Sequence, residues 1–484
     1  MTRTSPPEGA PTVSAVTAVE ATSRPFETGG RTWQRTTGTL HGVVDPREPV
    51  AGLAGLPTGA DGGHRWSAEF EVIAPAGGGD LVLVDVENRG RPAMLLALEQ
   101  LAPVSAATSP TAAEYPPGRG TGFLAGAGLG YARVQWETGI AAGVPATAQG
   151  VGQVIVRDLG RLLTGAAPEP AGEAPALPRF GAALLAGISQ SAWLVTAFLA
   201  EGFNADPVSG GGVYAAALTV SGTGNWLAVN GLAGEQPQRP YVLEHGVPLT
   251  HEQVLTRPAS DPLLVDVATY TDYYRLRASV TARTGRRADV LRYDWPAPHA
   301  GPAYPDAVVF GALGCNGGIE VPRNPIAYDP HLRSLVAALA EALRGAGPSA
   351  LPPAAVFDLE AAPATEGVVN ALPGVELAVP AVDPDTAQPQ GGVRFPDAVV
   401  PLGRPVPVAL GPVTTASITD VCGNWGGWQP FSAEELRDRY GDVEGYLERY
   451  AAVVDEQVAA GYLRAGERER VLRRARAAFL AAGG

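Results

Sequence analysis

A short apolar run, Ala182-Ala183-Leu184-Leu185-Ala186, leads directly into Gly187-Ile188-Ser189-Gln190-Ser191, and helical spacing follows from Gln190 to about Glu201. A serine in a sharp turn between a buried strand and a helix has a physical use. The turn exposes the hydroxyl above the sheet, and small residues two positions either side let it close. Gly187 and Ser191 meet that need. The helix start also aims the Gln190 N–H at any oxyanion that forms on a carbon attacked by Ser189. The competing reading is that serine here only caps a helix. The strand in front and the long helix behind favour the nucleophile, and Ser191, inside the helix start, is the lesser candidate.

Such a serine needs a base and an acid, in this arrangement ordered serine, acid, histidine along the chain. Four histidines follow Ser189: His245, His251, His299 and His331. His299, in the loop Pro296-Ala297-Pro298-His299-Ala300-Gly301 directly after a strand pattern, is placed as a mobile general base should be. His331 heads an amphipathic helix, where capping or exposure is expected, and His245 and His251 have no strand leading into them. For the acid, Asp272 follows the strand pattern at 263–269, within Tyr270-Thr271-Asp272-Tyr273-Tyr274. Asp266 falls inside that strand, Asp261 precedes it, and Asp289 and Asp294 lie too close to His299; a solvated loop carboxylate is the bland alternative for Asp272. The backbone N–H of about Arg89, in the loop Asn88-Arg89-Gly90, suits a second oxyanion donor. An ordinary turn fits the same residues.

The elements that must hold these residues are legible as patterns. Trp66 to Ile73 alternates like a half-buried strand; Asp80 to Val86, Tyr131 to Trp136, Ala182 to Ala186, Pro262 to Val267 and Asp289 to Tyr293 read as further strands. Helical spacing occupies Val151 to Leu163 and His331 to Arg344. Alternation of the two predicts an α/β protein, a mostly parallel central sheet covered by helices on both faces. The expected organisation is a loose leader over 1–30 and a core with an N-terminal β-rich extension over 31–345. A Pro-rich, β-leaning extension over 346–430 and C-terminal helices packed on the core over 431–484 complete it.

The 484 residues carry 35 basic and 49 acidic side chains, a formal charge of −14. That charge argues against nucleic acid, which demands a basic stripe. Every basic residue is arginine, so neither a Schiff-base lysine nor a Ser-Lys dyad is available. Two cysteines, Cys315 and Cys422, are too few for a disulfide framework or a thiolate metal site. No apolar segment opens the chain and no run reaches a membrane span, so a cytoplasmic protein without signal peptide or membrane partner is expected. Asp383 and Asp385 read as solvated loop carboxylates and Arg464 to Arg476 as a solvated helix face. Gly126 to Gly130 lacks the preceding strand of a dinucleotide loop. No metal or cofactor is expected, and a homo-oligomer is left open.

The chain also resembles a bacterial family of long α/β-hydrolase-domain proteins with esterase-like members. The resemblance is carried by Val86-Glu87-Asn88-Arg89-Gly90-Arg91, by the Ser189 turn with Gly202-Phe203-Asn204-Ala205-Asp206 after it, and by the His299 loop. Val379 to Asp383, Gly392 to Pro396, Pro430-Phe431 and Glu448-Arg449-Tyr450 extend it through the distal half. It implies the α/β-hydrolase fold, nucleophile Ser189, base His299 and, before two aromatics, acid Asp272 where the family has Glu. Gln190-Ser191-Ala192-Trp193 departs from the glycine and arginine usual after the serine. Gln135-Trp136-Glu137-Thr138 departs from a Trp-Gln-rich segment. Together these readings point to a serine hydrolase that cleaves a carboxylic ester of a small or medium-sized molecule. Trp136, Trp193, Trp226 and Tyr273 are the candidate pocket aromatics. A biosynthetic acyltransferase or cyclase using the same triad in a dry pocket, and a binding protein that kept only the fold, are the alternatives.

Overall fold

The computed structural model describes the chain except for residues 1–12, 51, 102–119, 138–143, 146–147, 149, 168, 171–176, 228–247, 283–286, 302–311, 315–319, 363–374 and 408–423. His245, Cys315 and Cys422 lie outside the described residues. The first elements are strands β1 (Ala15–Thr28), β2 (Arg31–Val44), β3 (His64–Pro75) and β4 (Gly78–Val86), then helices α1 (Ala93–Glu99) and α2 (Phe123–Ala127). Strand β5 (Gly130–Val134), helix α3 (Val151–Thr164), β6 (Arg179–Ile188), helix α4 (Gln190–Ala200), β7 (Ala216–Val220), β8 (Leu263–Thr269) and β9 (Val290–Trp295) follow. Nine strands form one sheet in the order β1-β2-β3-β5-β4-β6-β7-β8-β9. Pairing is antiparallel from β1 through β3 to β5 and parallel from there to β9.

Two faces of this sheet are buried, which is why its central strands read as continuous apolar runs. Along β4, Val82, Val84 and Val86 enter one core with α3 and the Trp193 to Leu199 part of α4. Leu81 and Leu83 enter the opposite core, with α1 and the helix Asp329–Glu341. Succession along the chain reverses at β4, which lies between β5 and β6. In open parallel sheets the crevice at such a switch, at the carboxyl ends of the strands, is where sites form. The loop after β4 and the turn after β6 are therefore neighbours.

Two elements differ from expectation. Residues 15–28 form the edge strand β1 where a loose leader was expected; Ser, Thr and Pro suit an edge strand whose outer side is exposed, and Val16 and Val19 anchor it. Strand β7, an alanine-rich run, carries little β signal of its own and is made a strand by burial between β6 and β8. Beyond residue 350 the chain lays Ala355 beside Tyr293 on the outer edge of β9, and Val393 N–H donates to Asp294 O at 2.8 Å. The helices Ala433–Tyr440, Val443–Ala459 and Arg468–Ala481 share a smaller core around Leu436, Tyr446, Val454 and Phe479. Arg474, within the segment expected to be solvated, reaches inward to Asp329 at 3.3 Å. No helix among the described residues is long and apolar enough to cross a membrane.

The loop after β4 is anchored by a buried carboxylate. Asp85 Oδ2 accepts the N–H groups of Met94 and Leu95 at 3.1 and 3.2 Å and the Tyr131 hydroxyl at 3.0 Å. Burial, the dominant cause, and the neighbouring Glu87 push the Asp85 carboxyl up to about 8 against these stabilising contacts. Because its folded value is raised, the group stabilises the fold fully below the ordinary carboxylate range, and that contribution is lost as pH rises toward 8. The neutral isostere Asp85→Asn should therefore flatten the fall in melting temperature between pH 5 and pH 9 and match or exceed wild type at pH 9. Asp85→Ala, which strips three donors of their acceptor, should destabilise by about 1–3 kcal/mol at either pH. Thermal melts of the three proteins at both pH values check this.

Candidate active site

Strand β6 delivers Ser189 into a turn with φ 60° and ψ −125°, a conformation L-residues rarely hold without support. The support is local and specific. Ser189 N–H donates to Val220 O at 2.8 Å, and Trp193 N–H to Ser189 O at 3.1 Å. The Ser191 hydroxyl accepts Ile188 N–H at 2.8 Å and donates to Ile188 O at 2.9 Å, so this fully buried serine closes the turn. A Cβ on Gly187 would stand 2.6 Å from the Ser191 carbonyl carbon and 2.7 Å from Ala192 N, both backbone, which is why the position takes glycine. The result is a half-buried Ser189 at the carboxyl edge of the sheet.

His299 enters from the loop after β9 and Asp272 from the short helix Tyr270–Arg275 after β8. Ser189 Oγ lies 2.8 Å from His299 Nε2, and His299 Nδ1 lies 2.8 Å from Asp272 Oδ1. The other carboxylate oxygen, Oδ2, accepts Thr269 N–H at 2.7 Å, which fixes the plane of the group. Asp272 is fully buried and His299 nearly so. The two loops are also stitched together by Tyr270 N–H to Ala297 O at 3.0 Å and His299 N–H to Thr271 Oγ1 at 2.7 Å.

The loop after β4 reaches the same place. Arg89 and Gly90 both have positive φ, 53° and 72°, in a tight turn where Asn88 and Arg91 exchange backbone hydrogen bonds. Asn88 Nδ2 donates to Ile188 O at 2.8 Å and so ties this turn to the residue before Ser189. Gln190 opens α4, and its carboxamide is turned to Glu137 Oε1 at 3.1 Å.

The two other described histidines after Ser189 are engaged elsewhere. His251 pairs with Asp266 at 3.1 Å. His331, expected to cap or be exposed, is instead buried flat against Phe395, with ring centroids 3.5 Å apart, and burial pulls its imidazole down to about 3, so it stays neutral. Of the expected pocket aromatics, Trp136, Trp193 and Tyr273 are core residues, because the elements carrying them turn these side chains inward. Trp136 Nε1 donates to Glu87 O at 2.8 Å and the Tyr273 hydroxyl to Asp294 Oδ2, while Trp226 is half-buried. Asp383 accepts the N–H groups of Asp385 and Thr386, and Asp385 pairs with Arg439. Among the described residues no cluster of His, Cys, Asp or Glu could hold a metal ion.

Sequence reasoning passed over four residues that shape this site: Asn88 as a side chain, Glu137, Thr271 and Asn424. Thr271 lay inside the acid loop and could have been suspected. Asn424, whose carbonyl accepts Ala300 N–H at 3.1 Å, had no signal at all.

A sheet with a reversal at β4, a serine in a strained strand-to-helix turn after β6, an acid after β8 and a histidine after β9 define the α/β-hydrolase class. The chain belongs to the alpha/beta hydrolase domain family, whose model matches residues 125–473, more than half of its length. No curated protein matches it. Solved structures similar to it include a cold-adapted esterase from an Arctic intertidal metagenomic library (13% identity, 58% of this chain and 90% of that one, TM-score 0.28). A CE15 glucuronoyl esterase from Teredinibacter turnerae T7901 is 14% identical over 53% of this chain and 64% of its own, TM-score 0.28. A lipase/esterase from Lactobacillus plantarum is 12% identical over 52% and 80%, TM-score 0.23.

The Gly187 contact makes a sharp expectation. Gly187→Ala forces a methyl against backbone that cannot swing away, so the turn must shift. A stability loss of about 1–3 kcal/mol is expected from such overpacking. Unfolding by urea measures it, and a variant as stable as wild type would refute the contact.

Proposed function

We propose that this protein is a serine hydrolase that cleaves a carboxylic ester of a small or medium-sized organic molecule through an acyl-enzyme intermediate. The observation that carries the reading is the unbroken chain of hydrogen bonds from Ser189 Oγ through both nitrogens of His299 to the buried Asp272. In this mechanism His299 Nε2 takes the proton from Ser189 as Oγ attacks the acyl carbon. The imidazolium so formed is stabilised by Asp272, whose buried carboxylate also holds the Nδ1–H tautomer. The proton then passes to the alcohol oxygen as the ester bond breaks. Water, activated by the same imidazole, attacks the acyl-enzyme and releases the acid.

The oxyanion of each tetrahedral intermediate is assigned to the N–H groups of Gln190 and Arg89. The first N–H groups of a helix have no partner within it, and they lie at the positive end of the helix dipole. Asn88, by holding Ile188 O, keeps the Arg89 turn beside Ser189. All of these groups belong to the chain itself.

Wild type should react with a fluorophosphonate probe and turn over short-chain p-nitrophenyl esters, while Ser189→Ala should neither label nor turn over. Ser189→Ala, His299→Ala and Asp272→Asn should each lower kcat by about 10⁴-fold or more, since the three act as a unit. Absence of labelling in wild type, or equal labelling of Ser189→Ala, would sink the reading.

A further inference from the structure

We propose that Thr271 is a positioning residue for His299, and that the segment Asn424–Gly426 of the distal extension sets the place of both. The inference rests on the triad reading above and deepens it, because it makes the extension a part of the catalytic unit.

The argument starts from how His299 is held. A general base on a loop must keep its ring within hydrogen-bond reach of the serine, and misplacement by about 1 Å can cost a hundredfold in rate. Adjacent residues of the acid loop grip two different parts of this histidine. Asp272 Oδ1 lies 2.8 Å from ring Nδ1, and Thr271 Oγ1 accepts the main-chain N–H at 2.7 Å. Ring and backbone are thereby both referred to one short helix, so the imidazole cannot move away from Ser189 without breaking one contact or the other. Thr271 is itself nearly fully buried, which makes an unmade hydrogen bond there costly.

The extension closes the arrangement from the far side. Asn424 O accepts the N–H of Ala300, the residue after the base, at 3.1 Å. Because the Thr271 oxygen is used as an acceptor by His299, its proton is left to point at the same Asn424 carbonyl, a long contact of 3.5 Å. Two residues on, Gly426 has φ 64°, and a Cβ there would stand 2.9 Å from Thr271 Cγ2. The extension thus bears on the methyl of the very residue whose hydroxyl holds the histidine.

This geometry gives a test that a merely structural role would not pass. Activity is measured as kcat and KM on a p-nitrophenyl ester, per site titrated with the fluorophosphonate probe. Thr271→Val, equal in shape but without the acceptor, should lower kcat by about tenfold to a hundredfold with KM nearly unchanged. Thr271→Ser, which keeps the hydroxyl, should stay near wild type. Gly426→Ala should also lower kcat, and the double variant Thr271→Ser/Gly426→Ala should recover most of it, because the colliding methyl is gone while the φ strain of alanine remains. Wild-type kcat in Thr271→Val, or a double variant no better than Gly426→Ala alone, would overturn the proposal and leave the Ser189 reading standing. A wild type that fails to label would instead remove the triad reading and this inference with it.

Discussion

A single strained residue is the constraint around which the rest of this structure is arranged. Ser189 sits at φ 60° and ψ −125°, a conformation that costs of order 1–3 kcal/mol and persists only where the surroundings over-determine it. Here they do so from three directions. Strand β7 takes its N–H through Val220 O, Ser191 folds its hydroxyl back on both polar groups of Ile188, and Asn88 reaches across from the loop after β4 to the same carbonyl. Val220 stands on β7, Ser191 on the first turn of α4 and Asn88 in the loop after β4. The half-buried Ser189 is therefore held partly by its own turn and partly by the neighbouring strand and loop.

The same economy of contacts organises Asp272 and His299. Asp272 and His299 arrive on consecutive loops, and the fold joins those loops by main-chain and side-chain bonds before either reaches Ser189. Beneath them runs a buried chain of charge. Arg292 bonds Asp266 on one side and Asp294, at 2.8 Å, on the other, and Asp294 in turn accepts the Tyr273 hydroxyl and, at 2.9 Å, Phe357 N–H. A buried guanidinium is tolerable only when its charge is met, and removing one partner of such a pair is far costlier than the pair is worth. Attraction to Arg292 and the bonds from His251 and Thr219 hold the Asp266 carboxyl well below the usual carboxylate range in spite of its burial. The residue following Asp272 is thus tied, through Asp294, to the strand that leads to His299 and to the distal extension.

That extension changes how the chain is understood as a whole. A Pro-rich stretch after residue 346 looks like an appendage in the sequence. In the structure it adds Ala355 to the open edge of β9, gives Val393 to Asp294 and brings Asn424 to the base loop. The family match reaches residue 473, so it takes in this extension together with Ser189, Asp272 and His299.

By itself the sequence determined the alternation of strands and helices, the turn around Ser189 and the candidacy of Asp272 and His299 after later strands. These follow from local chemistry: buried parallel strands must be apolar on both faces, and a turn closed against its own helix must have glycine at Gly187. It also singled out His299, because a histidine directly after a strand of this topology lands at the carboxyl edge. What it could not determine depends on pairings between distant residues. Strand β1 is a strand only because β2 offers it partners, and β7 only because β6 and β8 enclose it. His331 is buried because Phe395, more than sixty positions away, lies flat on it, and Trp136, Trp193 and Tyr273 are core because of the faces their elements present. Asn88, Thr271 and Asn424 act through a few hydrogen bonds to atoms far along the chain, and such bonds leave no periodicity, composition or spacing to read. The Ser189 turn was legible because much of its constraint is local; the contacts that place His299 were decided only when the chain closed on itself.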